Sequence, residues 1–399
     1  MRYIFHEHKH THTSSHPLTD SIDSQQPSMP AVMANTPPTT ESLIEKLGYQ
    51  PRHVMTGMIK TKDPKIPSPS QIARISTASS SLGSLESLPL EMLHIIFAAL
   101  DLRSLSRMAS TCLRGVAVVE ALPQWRDLVK HAPGAMAALG RTQLIRHHTV
   151  TTLHDALSSA DCASCGAYGA FLFLPTCERC CYECLWRNQS LQVIQLALAK
   201  KAFGLSAAQI EKLPIMRGIP GKYWVRYQIS RSRPQRLVSV KAAKILALQV
   251  HGSKEDLARQ LEPFRASGPP SPAYVKLHQL QRAPLKPLGP LSALDQRKDL
   301  RGNDEFCGMA SIPFACCLAG KQVEHGIWCL GCKRANHDGP DRSLDPLETR
   351  YLRDSLGKMV YVAWSTNDFL EHIKRCKGAV QLVPDMQAQE ERRDDCDGL

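Results

Sequence analysis

The run Cys162–Cys184 reads CASCGAYGAFLFLPTCERCCYEC and carries six of the chain's fourteen cysteines. Cys162 and Cys165 form one CxxC pair, and Cys177/Cys180 and Cys181/Cys184 form two more, back to back. A CxxC pair presents two thiolates to one ion, and two such pairs at the ends of a short hairpin complete a tetrahedral zinc site. Gly166 permits the tight turn after Cys165, and the alternation Phe171, Leu172, Phe173, Leu174 gives the hairpin a packable face. Eleven residues separate Cys165 from Cys177 and fifteen separate it from Cys181, and both gaps suit a zinc ribbon or a related hairpin. The expected ligands are Cys162, Cys165, Cys181 and Cys184, because a helix is expected to follow at Leu185-Trp186; Cys177 and Cys180 are the alternative second pair. Four thiolates leave no open coordination position, so the zinc is expected to be structural and no catalytic residue is expected.

At 399 residues the chain has room for two or three domains, and 43% apolar residues suffice for cores. Twenty-seven prolines and only 6% aromatic residues imply that part of it does not pack. No apolar run reaches the length of a membrane span. The start of the chain, MRYIFHEHKHTHTSSH, lacks the apolar core of a secretory signal. An intracellular protein, nuclear or cytoplasmic, is therefore expected, and in a reducing compartment clustered cysteines read as metal ligands. The net charge of +12 favours acidic partners.

Upstream of the cysteine run, residues 1–84 read as an unstructured tail: a polar segment with His6, His8, His10, His12 and His16, then Pro37-Pro38 and IPSPS, with one short helix around Ser42–Leu47. The pattern changes at Ser87. Pro89 suits a first helical turn, and Leu93, Ile96, Phe97 and Leu100 then share a helical face. Asp101 is a good N-cap for a second helix with Leu102, Leu105, Met108, Ala109 and Cys112 as its stripe. A third stretch, Val116–Leu122, leads to Trp125 and Leu128. Three helices this short bury little alone, so an apolar stripe is expected to remain for docking. Beyond them, His147, His148 and His154 are expected to be solvated or capping residues.

Downstream, Ser190–Phe203 reads as a helix ended by Gly204, and Ser206 with Gln209 as a capping box. Tyr223–Ile229 alternates like a strand, with Leu237–Val240 as its expected partner; Lys241–Val250 reads as a helix stopped by Gly252, with Ser253 capping the next. Lys222, Arg226, Arg231, Arg233, Arg236, Lys241 and Lys244, interleaved with Tyr223, Trp224 and Tyr227, form a basic stretch that could meet nucleic acid. A second knuckle, Cys329/Cys332, is followed by His372 and Cys376, one helical turn apart on one face. Together these make a Cys-Cys-His-Cys site, with His325 and His337 as competing ligands; Cys307, Cys316 and Cys317 lack a second half and are expected to be buried thiols.

Leu88-Pro89, Glu91, Ile96-Phe97, Leu100, the start of the second helix at Asp101–Leu105, and Trp125 together resemble an F-box; the pattern departs at Gly115, where an aromatic residue is usual, and the third helix is expected to be weakened or bent there. With the cysteine run, PIMRGIPG (214–221), VSVKAAK (238–244), FCGMASI (306–312) and the second knuckle, residues 85–380 resemble a group of fungal F-box domain-containing proteins. The resemblance implies docking to a Skp-type adaptor of a cullin ubiquitin ligase through Leu88, Pro89, Leu93, Ile96, Phe97, Leu100, Leu102 and Leu105. It also implies that the chain does no chemistry itself and leaves its protein target unnamed. A nucleic-acid-binding regulator is the alternative, and no membrane partner is expected. The expected fold is mainly α with small β-hairpins. Its parts are a tail (1–84), an F-box three-helix module (85–130), a zinc-stapled α+β region (131–265), a Pro-rich linker (266–300), a zinc-finger-like region (301–383) and a polar tail (384–399).

Overall fold

In the computed structural model, residues 39–61, 81–225, 227–265, 269–290, 306, 308–318, 322–339 and 357–383 are described. The histidine-rich segment, Pro37-Pro38, IPSPS, the polar tail after 384, Cys307 and Arg226 lie outside them. Short helices joined by small antiparallel sheets make a mixed α+β architecture.

The first folded segment was expected to belong to the tail. Thr40–Leu47 (α1) is the anticipated short helix; Gly48–Tyr49 (β1) and Arg52–Thr56 (α2) follow. Leu47, Val54, Met58 and Ile59 are buried, so residues 39–61 belong to the folded body. A sparse apolar count hid this, because each of these side chains is covered by distant chain: β1 pairs with Ile327–Cys329 (β10), and Ile59 N–H donates to Ser311 C=O.

The three expected helices form at Leu90–Ala98 (α3), Leu102–Ala109 (α4) and Leu113–Ala121 (α5). Asp101 caps α4 as predicted: its carboxylate accepts from Arg103 and Ser104 N–H at 3.0 and 2.9 Å. Gly115 does not bend α5. It lies in the first turn, and a Cβ there would stand 2.4 Å from Met108 C=O, so the missing side chain lets α5 pack closely on α4. Pro123–His131 (α6), Pro133–Arg141 (α7) and Val150–Leu157 (α8) continue the helical layer. His148 departs from the expected solvated role: it is buried, which pushes its imidazole down to about 4, and its C=O accepts from Leu102 N–H.

Phe171–Phe173 (β2) and Glu178–Cys180 (β3) form the predicted hairpin, but β2 gains a second neighbour, Ser311–Pro313 (β9), on its other edge, and all three β2 residues are buried. The expected helix Ser190–Phe203 is half strand. Val193–Gln195 (β4) pairs with Arg236–Ser239 (β8), as β-branched Val193 and Ile194 favour, and the helix (α10) is Leu196–Phe203 after the short Tyr182–Arg187 (α9). Gly204 and the Ser206–Gln209 capping box fall as predicted. Gly221–Val225 (β6) pairs with Tyr227–Arg231 (β7), not with Leu237–Val240; β8 instead lies between β4 and Ile215–Arg217 (β5). Val240–His251 (α11) ends at Gly252, and Ser253 caps Lys254–Arg259 (α12).

The expected linker 266–300 contains a packed helix, Pro272–Gln281 (α13). Ser271 caps it, Leu277 and Leu280 are buried against the α10–α12 cluster, and Lys244 Nζ donates to Ala283 C=O at 2.6 Å. Proline here starts a helix instead of preventing one. Leu330–Asp338 (α14), Ala363–Trp364 (β11) and Thr366–Arg375 (α15) complete the order.

The described residues from Thr40 onward form one compact unit. The largest of three buried clusters runs from Val54 through Leu93, Phe97, Leu102 and Leu105 to Phe171, Ile312, Trp328 and Ala363; a second gathers residues between Ile194 and Ala283, and a third joins Leu47 to Cys329 and Phe369. The largest cluster draws on residues from the expected tail, helical unit and both cysteine-bearing regions: a short helical unit buries more by sharing a core than by forming its own. No described helix is long and apolar enough to cross a membrane.

Candidate metal centres

The first centre is assembled by a turn, a strand end and a helix start. Cys162 N–H donates to Ala167 C=O at 2.7 Å and Gly166 N–H to Cys162 C=O at 2.9 Å, closing the first knuckle; Gly166 takes φ +75°, which a side chain would resist. Cys181 follows β3 and is the N-cap of α9, with its sulfur 3.4 Å from Cys184 N–H and 3.6 Å from Cys165 Sγ. The sulfurs of Cys162, Cys165, Cys181 and Cys184 lie within 4.8 Å of one another, and all four residues are buried. Between the two second pairs the geometry favours Cys181/Cys184. Cys180 points its thiol at Phe171 C=O (3.6 Å), and neither it nor Cys177 joins the sulfur cluster.

Electrostatics say what this cluster wants. Hydrogen bonds from Cys165, Cys181 and Cys184 hold the Cys162 thiol far below its ordinary range, while the same neighbours push Cys181 and Cys184 far above theirs. Four sulfurs so close cannot all carry charge unaided; a cation among them removes the conflict.

Arg179, inside the cysteine run, was not singled out by the sequence. It is buried and donates to the carbonyls of Ala156 (2.9 Å), Gly169 and Ala315, with Phe314 C=O at 3.4 Å. It thereby ties the knuckle loop to the end of β9. A single arginine among cysteines has no pattern that announces this.

The second centre joins Cys329 at the end of β10, Cys332 in the first turn of α14, His372 on α15 and Cys376 at its C-cap. Their ligand atoms also lie within 4.8 Å of one another. Cys332 Sγ is 3.2 Å from His372 Nε2 and 3.7 Å from Cys376 Sγ; Cys329 Sγ is 3.8 Å from Cys376 Sγ. Burial opposes protonation of His372, but the sulfurs of Cys329 and Cys376 outweigh it and lift the imidazole to about 9. Trp364 stacks on His372 with centroids 4.5 Å apart and fixes the ring. His325 and His337 are exposed and stand outside the cluster. Two glycines bring the strands of chain together: a Cβ on Gly331 would stand 2.1 Å from Ala379 N, and one on Gly378 2.2 Å from Gly331 O. Cys316 and Cys317 join neither cluster; Cys316 is buried and its thiol donates to Ser159 C=O.

An aromatic chain connects the two centres. Tyr182, next to Cys181, stacks on Tyr361 (4.7 Å), and Trp328, next to Cys329, donates through Nε1 to Tyr361 C=O at 3.3 Å.

The residues expected to meet an adaptor divide by burial. Leu93, Phe97, Leu102 and Leu105 are core residues at 0–1% exposure and cannot meet a partner. Leu88 and Leu100 are half-buried, and Pro89 and Ile96 are exposed. Leu90, Met92 and Ile95 were missed, yet they are exposed on α3, Ile95 to 65%. The basic stretch does not form one surface. Lys244 is buried, Lys241 pairs with Glu178, Arg236 with Glu211, and Arg231 lies over the Phe306 ring.

Compared with protein-family models, curated proteins and solved structures, the chain matches none.

Proposed function

We propose that the chain is the substrate-recognition subunit of a Skp–cullin–F-box ubiquitin ligase, with two structural zinc ions holding its target-binding body together. The observation that carries the reading is α3: Leu90, Met92, Ile95 and Ile96 are 38–65% exposed on a nine-residue helix. Full burial of such a side chain is worth roughly 1.5–3 kcal/mol; these four are about half exposed, so a docked partner recovers roughly half of that for each. The adaptor would meet this face, beginning at Leu88-Pro89. The body would bring a bound protein near the conjugating enzyme, which is catalysis by proximity.

Zinc suits both donor sets, four thiolates and three thiolates with an imidazole, since both are closed tetrahedral sets without room for substrate. In small peptides such a site supplies about 10–16 kcal/mol of apparent folding free energy, as much as a domain's whole stability. Nucleic-acid binding through the basic stretch has less support, because Arg236, Lys241 and Lys244 are already engaged.

Co-purification with a Skp-type adaptor tests the docking. Met92→Asp/Ile95→Asp should abolish capture while leaving the circular dichroism spectrum and metal content unchanged. Leu93 and Phe97 are unsuitable for this test, because truncating such core residues costs about 2–5 kcal/mol of stability. Undiminished capture by the folded double variant would reject the reading.

A further inference from the structure

A hollow of about 330 Å³ opens beside the β5 end of the β4–β8–β5 sheet. Arg146, Arg217 and Arg236 all line it. Arg217 and Arg236 are directly opposite each other in the β5–β8 ladder, a placement that costs stability between like charges. Glu211 relieves only one of them: its two oxygens sit 2.8 Å from Arg236 Nη2. Arg217 and Arg146 have no acidic partner among the described residues; Arg146 Nε donates to His147 Nε2 at 3.2 Å, another residue of the lining. Two guanidinium charges are thus left unbalanced in one concavity. Leu213, Ile215 and Pro234 give it an apolar wall over the buried Met216.

We propose that this hollow binds a small phosphate monoester, its phosphoryl oxygens held by Arg146 and Arg217 and its organic part against Leu213 and Pro234. Guanidinium groups match phosphoryl oxygens in charge and fork geometry. The volume falls within the range of small-molecule sites, at its lower end. The arginines share one hollow instead of following a groove, and no Phe, Tyr or Trp ring lines it to stack a base, which argues against a polynucleotide. The inference does not depend on adaptor docking or on metal binding.

Calorimetric titration of the full chain at fixed ionic strength provides the test, with phenyl phosphate, inorganic phosphate, a phosphoserine peptide and a single-stranded oligonucleotide as probes. Phenyl phosphate should bind one to one and more tightly than inorganic phosphate. Arg217→Glu and Arg146→Glu should each weaken it at least tenfold, with metal content unchanged as the check on folding. Arg217→Lys, which keeps the charge and loses the fork, should lie between. The proposal is overturned by non-saturable binding, by affinity that survives Arg146→Ala/Arg217→Ala, or by a preference for the peptide or the oligonucleotide over phenyl phosphate.

Discussion

Cys180 and Cys181 are neighbours in the chain with opposite roles. Cys180 is the last residue of β3, in register with Phe171, and its thiol is spent on a backbone carbonyl. Cys181 begins the turn into α9 and joins the sulfur cluster. The sequence ranked the two CxxC pairs through the helix expected after Cys184, and the ranking agrees with the geometry. It offered no means to exclude Cys177/Cys180, because the burial of those thiols in a core assembled from distant parts of the chain leaves no local mark. Cys181→Ser should therefore lower bound metal by about one equivalent per chain, measured by plasma mass spectrometry, whereas Cys180→Ser should keep both equivalents. Equal losses from the two variants would reject this ligand assignment.

Among elements, spacing carried the second centre well: a knuckle at Cys329/Cys332 and a helical His372/Cys376 pair are visible in the letters, and the structure brings all four together. What the letters hid is how α14 meets the segment after α15. Gly331 and Gly378 touch through bare backbone, a contact between residues far apart in sequence that no local pattern encodes. Gly331→Ala should weaken metal binding at the second centre by at least tenfold, about 1.4 kcal/mol, in a chelator competition, and leave the first centre filled. Unchanged competition at both centres would show that the close approach does not matter. The strands fared unevenly for a similar reason. The β2–β3 hairpin is local and was legible, while the partners of β8 are set by sheet order, which period-two alternation does not specify.

For the whole molecule, the sequence suggested modules joined by a linker, and the largest buried cluster draws on residues from several of them. Composition misled at two places: residues 39–61 carry few apolar side chains but bury Leu47, Val54, Met58 and Ile59, and residues 269–290 are Pro-rich but hold α13 against the α10–α12 cluster. In both, distant chain supplies the cover that local counting cannot see. The largest cluster joins residues from Val54 to Ala363, which implies one transition for them. Thermal unfolding followed by tryptophan fluorescence and by far-ultraviolet circular dichroism should give the same midpoint, and Val54→Asp should lower both together. Two separate transitions, with only one moved by the substitution, would restore the modular picture.

The pairing of β1 with β10 also has a temporal side. Gly48 and Tyr49 leave the ribosome early, yet their partners Cys329 and Trp328 emerge some 280 residues later, a delay on the order of tens of seconds at ordinary synthesis rates. Throughout that interval the first thiol cluster, complete by Cys184, can already capture its ion, while Leu47 waits uncovered for the last part of the chain. Nascent chains are thus most exposed to chaperones and proteases at their oldest segment, not their newest.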